Sequence, residues 1–181
     1  MLVNQTAYLL TTGDSYIGAR GIINAWSPRV QSPDEYTTAQ IWLKNGPGDT
    51  FESIEAGWMV NPKLFTNTRP RIFIRWTDPN QRRWWLSFKD DVIGYWPLEI
   101  FSYLQQKALY VQWGGDVYSK NFKGVKPHTT TAMGSGDFAS GLFGVACYIQ
   151  NVRIVDDSLQ LKYPKWVHTD SEEPDCYSAL N

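Results

Sequence analysis

Two carboxylates stand apart from the other acids in this chain of 181 residues. Glu55 lies inside the stretch Ser53-Ile54-Glu55-Ala56-Gly57-Trp58-Met59-Val60, and Asp116 follows Val111-Gln112-Trp113-Gly114-Gly115. Most other acidic residues fall in turn-like or tail segments, such as Asp34-Glu35, Asp156-Asp157 and Glu172-Glu173. Solvated surface is the ordinary reading of those. Glu55 and Asp116 instead neighbour Gly and Trp, where glycine lets a backbone or substrate come close and tryptophan excludes water. A half-buried carboxyl in that setting has its pKa raised and exchanges protons at mildly acidic pH. Two such groups facing one another can activate a water and protonate a departing amine, which is the chemistry of amide hydrolysis. Glu55 and Asp116 are therefore the candidate catalytic pair, and Gly57, Trp58, Trp113, Gly114 and Gly115 the candidate substrate-binding residues. The competing reading makes Glu55 a strand residue facing solvent and Gly114-Gly115-Asp116 a turn.

Other chemistries find little to work with. There is no Gly-x-Ser-x-Gly elbow, and Gly134-Ser135-Gly136-Asp137 lacks the lysine and following helix of a phosphate-binding loop. The two histidines, His128 and His168, fall in polar, loop-like stretches, so neither a His-based triad nor a zinc site is expected. Cys147 sits in apolar surroundings that raise a thiol pKa and weaken it as a nucleophile. No metal and no cofactor are expected. Spacing leaves open whether Cys147 and Cys176 form a disulfide tying the tail to the body or stay as two thiols.

The elements that must position the carboxylates read as strands. The runs are Gly21 to Trp26, Thr37 to Leu43, Ser53 to Val60, Arg71 to Trp76, Arg83 to Phe88, Asp91 to Trp96, Ala108 to Trp113, Gly144 to Val155 and Ser158 to Tyr163. Turn clusters punctuate them, notably Asn45-Gly46-Pro47-Gly48 and Asp78-Pro79-Asn80. Pro97 to Gln106 opens on proline and spaces its apolar residues as a helix would, predicting one short helix. Many short strands with frequent turns predict an all-β, antiparallel β-sandwich in one domain spanning residues 1–181.

Composition narrows the function classes. Hydrophobic residues make up 43% and charged residues 19%, enough to build a core. A formal net charge of −1 with scattered basic residues argues against nucleic acid as a partner. Apolar runs are far too short for a membrane helix, and a monomer is expected. Aromatic residues reach 15%, which suits strand packing and also platforms for sugars or extended peptides. The start, Met1-Leu2-Val3 then Asn4-Gln5-Thr6, does not read as a signal peptide.

An ordered set of short motifs runs nearly the whole length. It comprises Tyr16-Ile17-Gly18-Ala19 with Ile23 to Pro28, Gln40-Ile41-Trp42, Ile54-Glu55-Ala56-Gly57-Trp58 with Pro62, and Trp84-Trp85-Leu86. It continues through Ile93 to Pro97, Val111 to Gly115, Thr129 to Gly136, Asn151 to Asp156 and Pro174-Asp175-Cys176-Tyr177. With these motifs the chain resembles the neprosin-like family, a plant-abundant group whose active members are secreted glutamic peptidases cleaving around proline. The resemblance implies two antiparallel sheets with a cleft on one face, a peptide or protein substrate and an extracellular location. It also implies two glutamates, one activating water and one acting as acid or oxyanion stabiliser. Glu55 matches the first, and Asp116 stands where the second is expected. Asp116 is a methylene shorter than glutamate, and a misplacement of about 1 Å can cost about a hundredfold in rate. Between Thr77 and Arg82 the chain is shorter than family members, which carry further strands and a Cys pair there, so sheet strands are expected to be missing. The alternatives to an active peptidase are a non-catalytic peptide- or glycan-binding sandwich and an inactive, truncated paralogue.

Overall fold

The computed structural model describes residues 3–76, 84–89, 91–122 and 128–181. Its strands are β1 (Val3–Thr11), β2 (Tyr16–Ile23), β3 (Tyr36–Asn45), β4 (Glu52–Val60), β5 (Arg71–Trp76), β6 (Trp84–Phe88), β7 (Asp91–Trp96), β8 (Tyr110–Ser119), β9 (Ile149–Asp156), β10 (Leu161–Lys162) and β11 (His168–Ser171). An α-helical turn, α1 (Pro62–Phe65), follows β4, capped by Asn61, whose Oδ1 accepts the Leu64 N–H at 3.0 Å. The fold class is all-β and antiparallel, as the alternating pattern predicts.

Six strands form the main sheet in the order β11-β1-β8-β3-β4-β5; β10-β9-β2 form a second sheet and β6-β7 a hairpin. The second sheet and the hairpin pack on one side of the main sheet. Tyr16, Ile54, Trp84, Trp96, Phe101, Leu104, Val111, Trp113 and Ile154 make the buried cluster between them. Gly21 of β2 shows how closely the layers approach: a Cβ there would lie 2.8 Å from the Ile149 side chain and 3.2 Å from Trp113. Only hydrogen fits.

Asn45-Gly46-Pro47-Gly48 turns β3 into β4, as its composition predicts. Asn45 holds that end, its Nδ2 donating to the carbonyls of Tyr103 and Lys107 at 2.8 and 3.0 Å. The expected turn at Asp78-Pro79-Asn80 lies outside the described residues.

The segment Pro97 to Gln106 is corrected. It is a short 3-10 turn at Leu98–Ile100 followed by bends, not a helix of two or three turns. The Glu52 carboxylate captures the N–H groups of Ser102, Tyr103 and Leu104 at 2.6, 2.6 and 2.8 Å, which holds them in a loop. The buried side chains of Phe101 and Leu104 reward the same arrangement. Two strands were not expected, β1 and β11; β1 is polar enough to read as loop, yet it pairs with β8 over nine positions from Val3↔Ser119 to Thr11↔Val111.

Candidate active-site face

Strand alternation and register decide which side chains share a face. In β4, Ser53, Glu55, Gly57 and Met59 point away from the core cluster. The pairings Trp42↔Glu55, Gln40↔Gly57 and Thr38↔Met59 carry that face onto β3. From there Trp42↔Gln112, Gln40↔Gly114 and Thr38↔Asp116 carry it onto β8, and Tyr8↔Gly114 and Thr6↔Asp116 onto β1. Glu55 and Asp116 therefore project from the same face. The segment Gly114-Gly115-Asp116 is the interior of β8, so the reading of it as a turn is set aside.

The two carboxylates are not on the same row. Asp116 is two strands away from Glu55 and four residues further along, a backbone separation of roughly 17 Å over the sheet at ~4.8 Å per strand and ~3.4 Å per residue. The residue level with Glu55, across Trp42, is Gln112, roughly 10 Å away by the same spacing. Between the two carboxylates runs the row Gly57–Gln40–Gly114. A Cβ at Gly57 would lie 2.1 Å from the Ala39 carbonyl oxygen, and one at Gly114 2.1 Å from that of Ala7. Close strand approach thus forces glycine at both positions and leaves a floor without side chains on either side of Gln40.

Polar groups on this face are buried, which is the reverse of a solvent-facing sheet. Glu55 is 8% exposed, Asp116 5% and Gln40 1%, with Thr38, Ser53 and Gln112 also buried. Ser53 Oγ donates to Glu55 Oε1 at 2.8 Å, and Asn4 Nδ2 donates to Asp116 Oδ2 at 3.0 Å. The Oε1 atoms of Gln40 and Gln112 are buried with no hydrogen-bond partner among the described residues, leaving acceptors that water or a ligand N–H can use. Lys44 supplies a cation: burial pushes its ammonium below the usual lysine range, while the charges of Glu55, Asp116 and Glu172 pull it back up. Its Nζ lies 5.3 Å from the centre of the Trp42 ring. At the β1 side, Tyr8 donates to Asp170 Oδ2 at 3.2 Å, and burial with that negative charge pushes its phenol up to about 12.

Three expected substrate-binding residues are placed on the other face. Trp58 is buried against Ala39 and Val60, and its Nε1–H donates to the Asn24 carbonyl at 2.9 Å. Trp113 lies in the main core, its Nε1–H donating to the Arg20 carbonyl at 3.0 Å. A Cβ on Gly115 would meet Met133 at 2.6 Å, also on the core side. These residues pack the two layers together and do not line the face of Glu55. Gly57 and Gly114 do. Sequence reasoning missed Gln40, Trp42, Lys44 and Gln112, although each falls at an even spacing along a strand from a residue of the site face.

The remaining candidates lie elsewhere. His168 sits in β11 opposite Leu10. Neither cysteine forms a disulfide. Cys147 Sγ donates to Asn24 Oδ1 at 3.1 Å, and burial pushes its thiol up to about 11, in line with the expectation that it is no nucleophile. A cavity of about 630 Å³ opens on the core side, lined in part by Met133, Cys147, Tyr148, Cys176 and Tyr177. It is on the opposite side of the sheet from Glu55.

Comparison with known families gives a match to the Neprosin family over residues 33–80 and 76–181. The matched region takes in Glu55 and Asp116 with the strands β3, β4 and β8 that carry them. Its two parts meet at residues 76–80, the place where the sequence runs short, as expected of a shortened domain. With most of the chain covered in order, this protein belongs to the Neprosin family.

Proposed function

We propose that the face around Glu55 is a glutamic-peptidase-type cleft that hydrolyses peptides near proline at acidic pH, in a monomer working outside the cell. Glu55 is the water-activating base, taking a proton as the water adds to the scissile carbonyl. Gln112, level with Glu55, presents an amide that can polarise the scissile carbonyl. Asp116 is the other carboxyl of the face and the acid partner, set further along the bare floor of Gly57 and Gly114. The observation behind this reading is a buried carboxylate on a polar sheet face whose glycine rows leave room for an extended chain.

The test is incubation with proline-containing peptides at about pH 3–6, read by mass spectrometry. Cleavage should occur beside proline and vanish in Glu55→Gln. Turnover no higher than in that variant overturns the proposal. Gln112→Glu, which places a second carboxyl level with Glu55, should raise turnover about tenfold or more, a change of about 1.4 kcal/mol in the barrier.

A second reading is favoured by the register itself. An amide rather than an acid is level with Glu55 beyond Trp42, and Asp116 is offset by four residues. That arrangement suits a module that binds an extended peptide or glycan without cutting it. Binding that survives Glu55→Gln but is lost in Trp42→Ala, with no cleavage in either, selects this reading.

A further inference from the structure

The core side of the main sheet holds a second group of chemically capable side chains, remote from the Glu55 face. After β11 the chain makes a tight turn in which the Glu173 carbonyl accepts the N–H groups of Cys176 and Tyr177 at 2.9 and 2.8 Å. That turn brings the Glu173 carboxylate and the Cys176 thiol, three residues apart, onto one side. His128 meets them from the other: its Nε2 is 2.8 Å from Glu173 Oε2. One donor atom from each of the three residues lies within 4.8 Å of the others. Among the described residues this is the one group of three with that geometry.

The surroundings prepare His128 for a ligand role. Its Nδ1 lies 2.8 Å from the Thr129 carbonyl, which can only accept, so Nδ1 carries the proton and donates. Nε2 is hydrogen-bonded to the Glu173 carboxylate at 2.8 Å, and a metal ion taking the place of that shared proton would meet the Nε2 lone pair beside the carboxylate and thiol. A backbone carbonyl behind the ring is the usual means of fixing a metal-binding histidine. Thr129 is itself held, its Oγ1 donating to the buried Glu35 at 2.7 Å. Phe122 and Tyr177 flank the imidazole with ring centres 5.4 and 6.1 Å away, which excludes water from two sides.

We propose that His128, Glu173 and Cys176 bind one Zn(II) ion, with water completing a tetrahedron. Imidazole, carboxylate and thiolate are a borderline-soft donor set, which suits zinc and excludes magnesium or calcium. Bond lengths of about 2.0–2.3 Å put the donors roughly 3.3–3.6 Å apart, so the ligand atoms need only small side-chain adjustments. The ion would clamp the C-terminal turn to the segment beginning at His128, the job a disulfide at Cys176 would otherwise do. This inference stands on residues outside the peptidase cleft and does not depend on its activity.

The experiment is titration of the reduced full chain with Co(II), then Zn(II), at neutral pH. One equivalent of Co(II) should give a thiolate-to-cobalt charge-transfer band that Zn(II) abolishes. Cys176→Ser should remove the band, and His128→Gln should weaken binding about tenfold or more. Cys147→Ser and Glu55→Gln should leave both unchanged, and Zn(II) should raise the melting temperature of the wild type but not of His128→Gln. No band in the wild type overturns the site outright, without recourse to any variant. A band that persists in Cys176→Ser, or one that vanishes in Cys147→Ser, overturns it equally.

Discussion

At Gly57 and Gly114 the main sheet has no room for one more carbon atom. The nearest obstacle in each case is the backbone oxygen of the adjacent strand, 2.1 Å from where a Cβ would sit, and a backbone cannot rotate aside as a side chain can. Gly57→Ala is therefore expected to destabilise the fold by about 3 kcal/mol or more in denaturant unfolding, through forced separation of β3 and β4. Gly94→Ala is the control: no described residue lies within 4 Å of its Cβ position, and its effect should stay within about 0.5 kcal/mol. Residue-scale reading of the sequence recognised these glycines as places of close approach. It misassigned Trp58 and Trp113, which are three positions from Glu55 and Asp116. In a strand an odd spacing sends side chains to opposite faces, so that separation was legible without coordinates.

Elements in this protein are fixed to each other by carboxylates as well as by apolar packing. Glu52 gathers three backbone N–H groups and converts an apparent helix into a loop over β4. Glu35, just before β3, accepts from Ser119 Oγ at 2.6 Å, Thr129 Oγ1 at 2.7 Å and Thr131 Oγ1. It thereby joins the start of β3, the end of β8 and the segment that holds His128. Glu35→Ala should lower unfolding stability by about 3 kcal/mol, since three buried hydroxyls lose their acceptor together. The measurement is equilibrium denaturation, with Asp157→Ala, at an exposed position, as the neutral comparison. Neither acid announced itself in sequence, because each works on partners far along the chain. Glu35 reads as a solvated turn acid for that reason, although it is 5% exposed.

For the molecule as a whole, β6 and β7 form a two-stranded hairpin, separate from the main sheet among the described residues. Its inner side chains, Trp84 and Trp96, enter the core, while Trp85, Phe88, Val92, Ile93 and Tyr95 are exposed. An exposed apolar hairpin surface invites self-association. Val92→Lys with Ile93→Lys is expected to lower the apparent mass of the protein at high concentration in light scattering, while leaving the melting temperature within a few degrees. An unchanged concentration dependence would show that this surface is not sticky. What the sequence by itself determined is local: strand alternation, the turn at Asn45 to Gly48, an all-β class, and Glu55 embedded within a strand. The ordered motifs added the family. Tertiary structure alone decided that Gln112, not Asp116, is level with Glu55, and that His128, Glu173 and Cys176 converge. The physical reason is that strand alternation is written in adjacent residues, whereas register is set by pairings between segments distant along the chain, whose alignment depends on every strand between them.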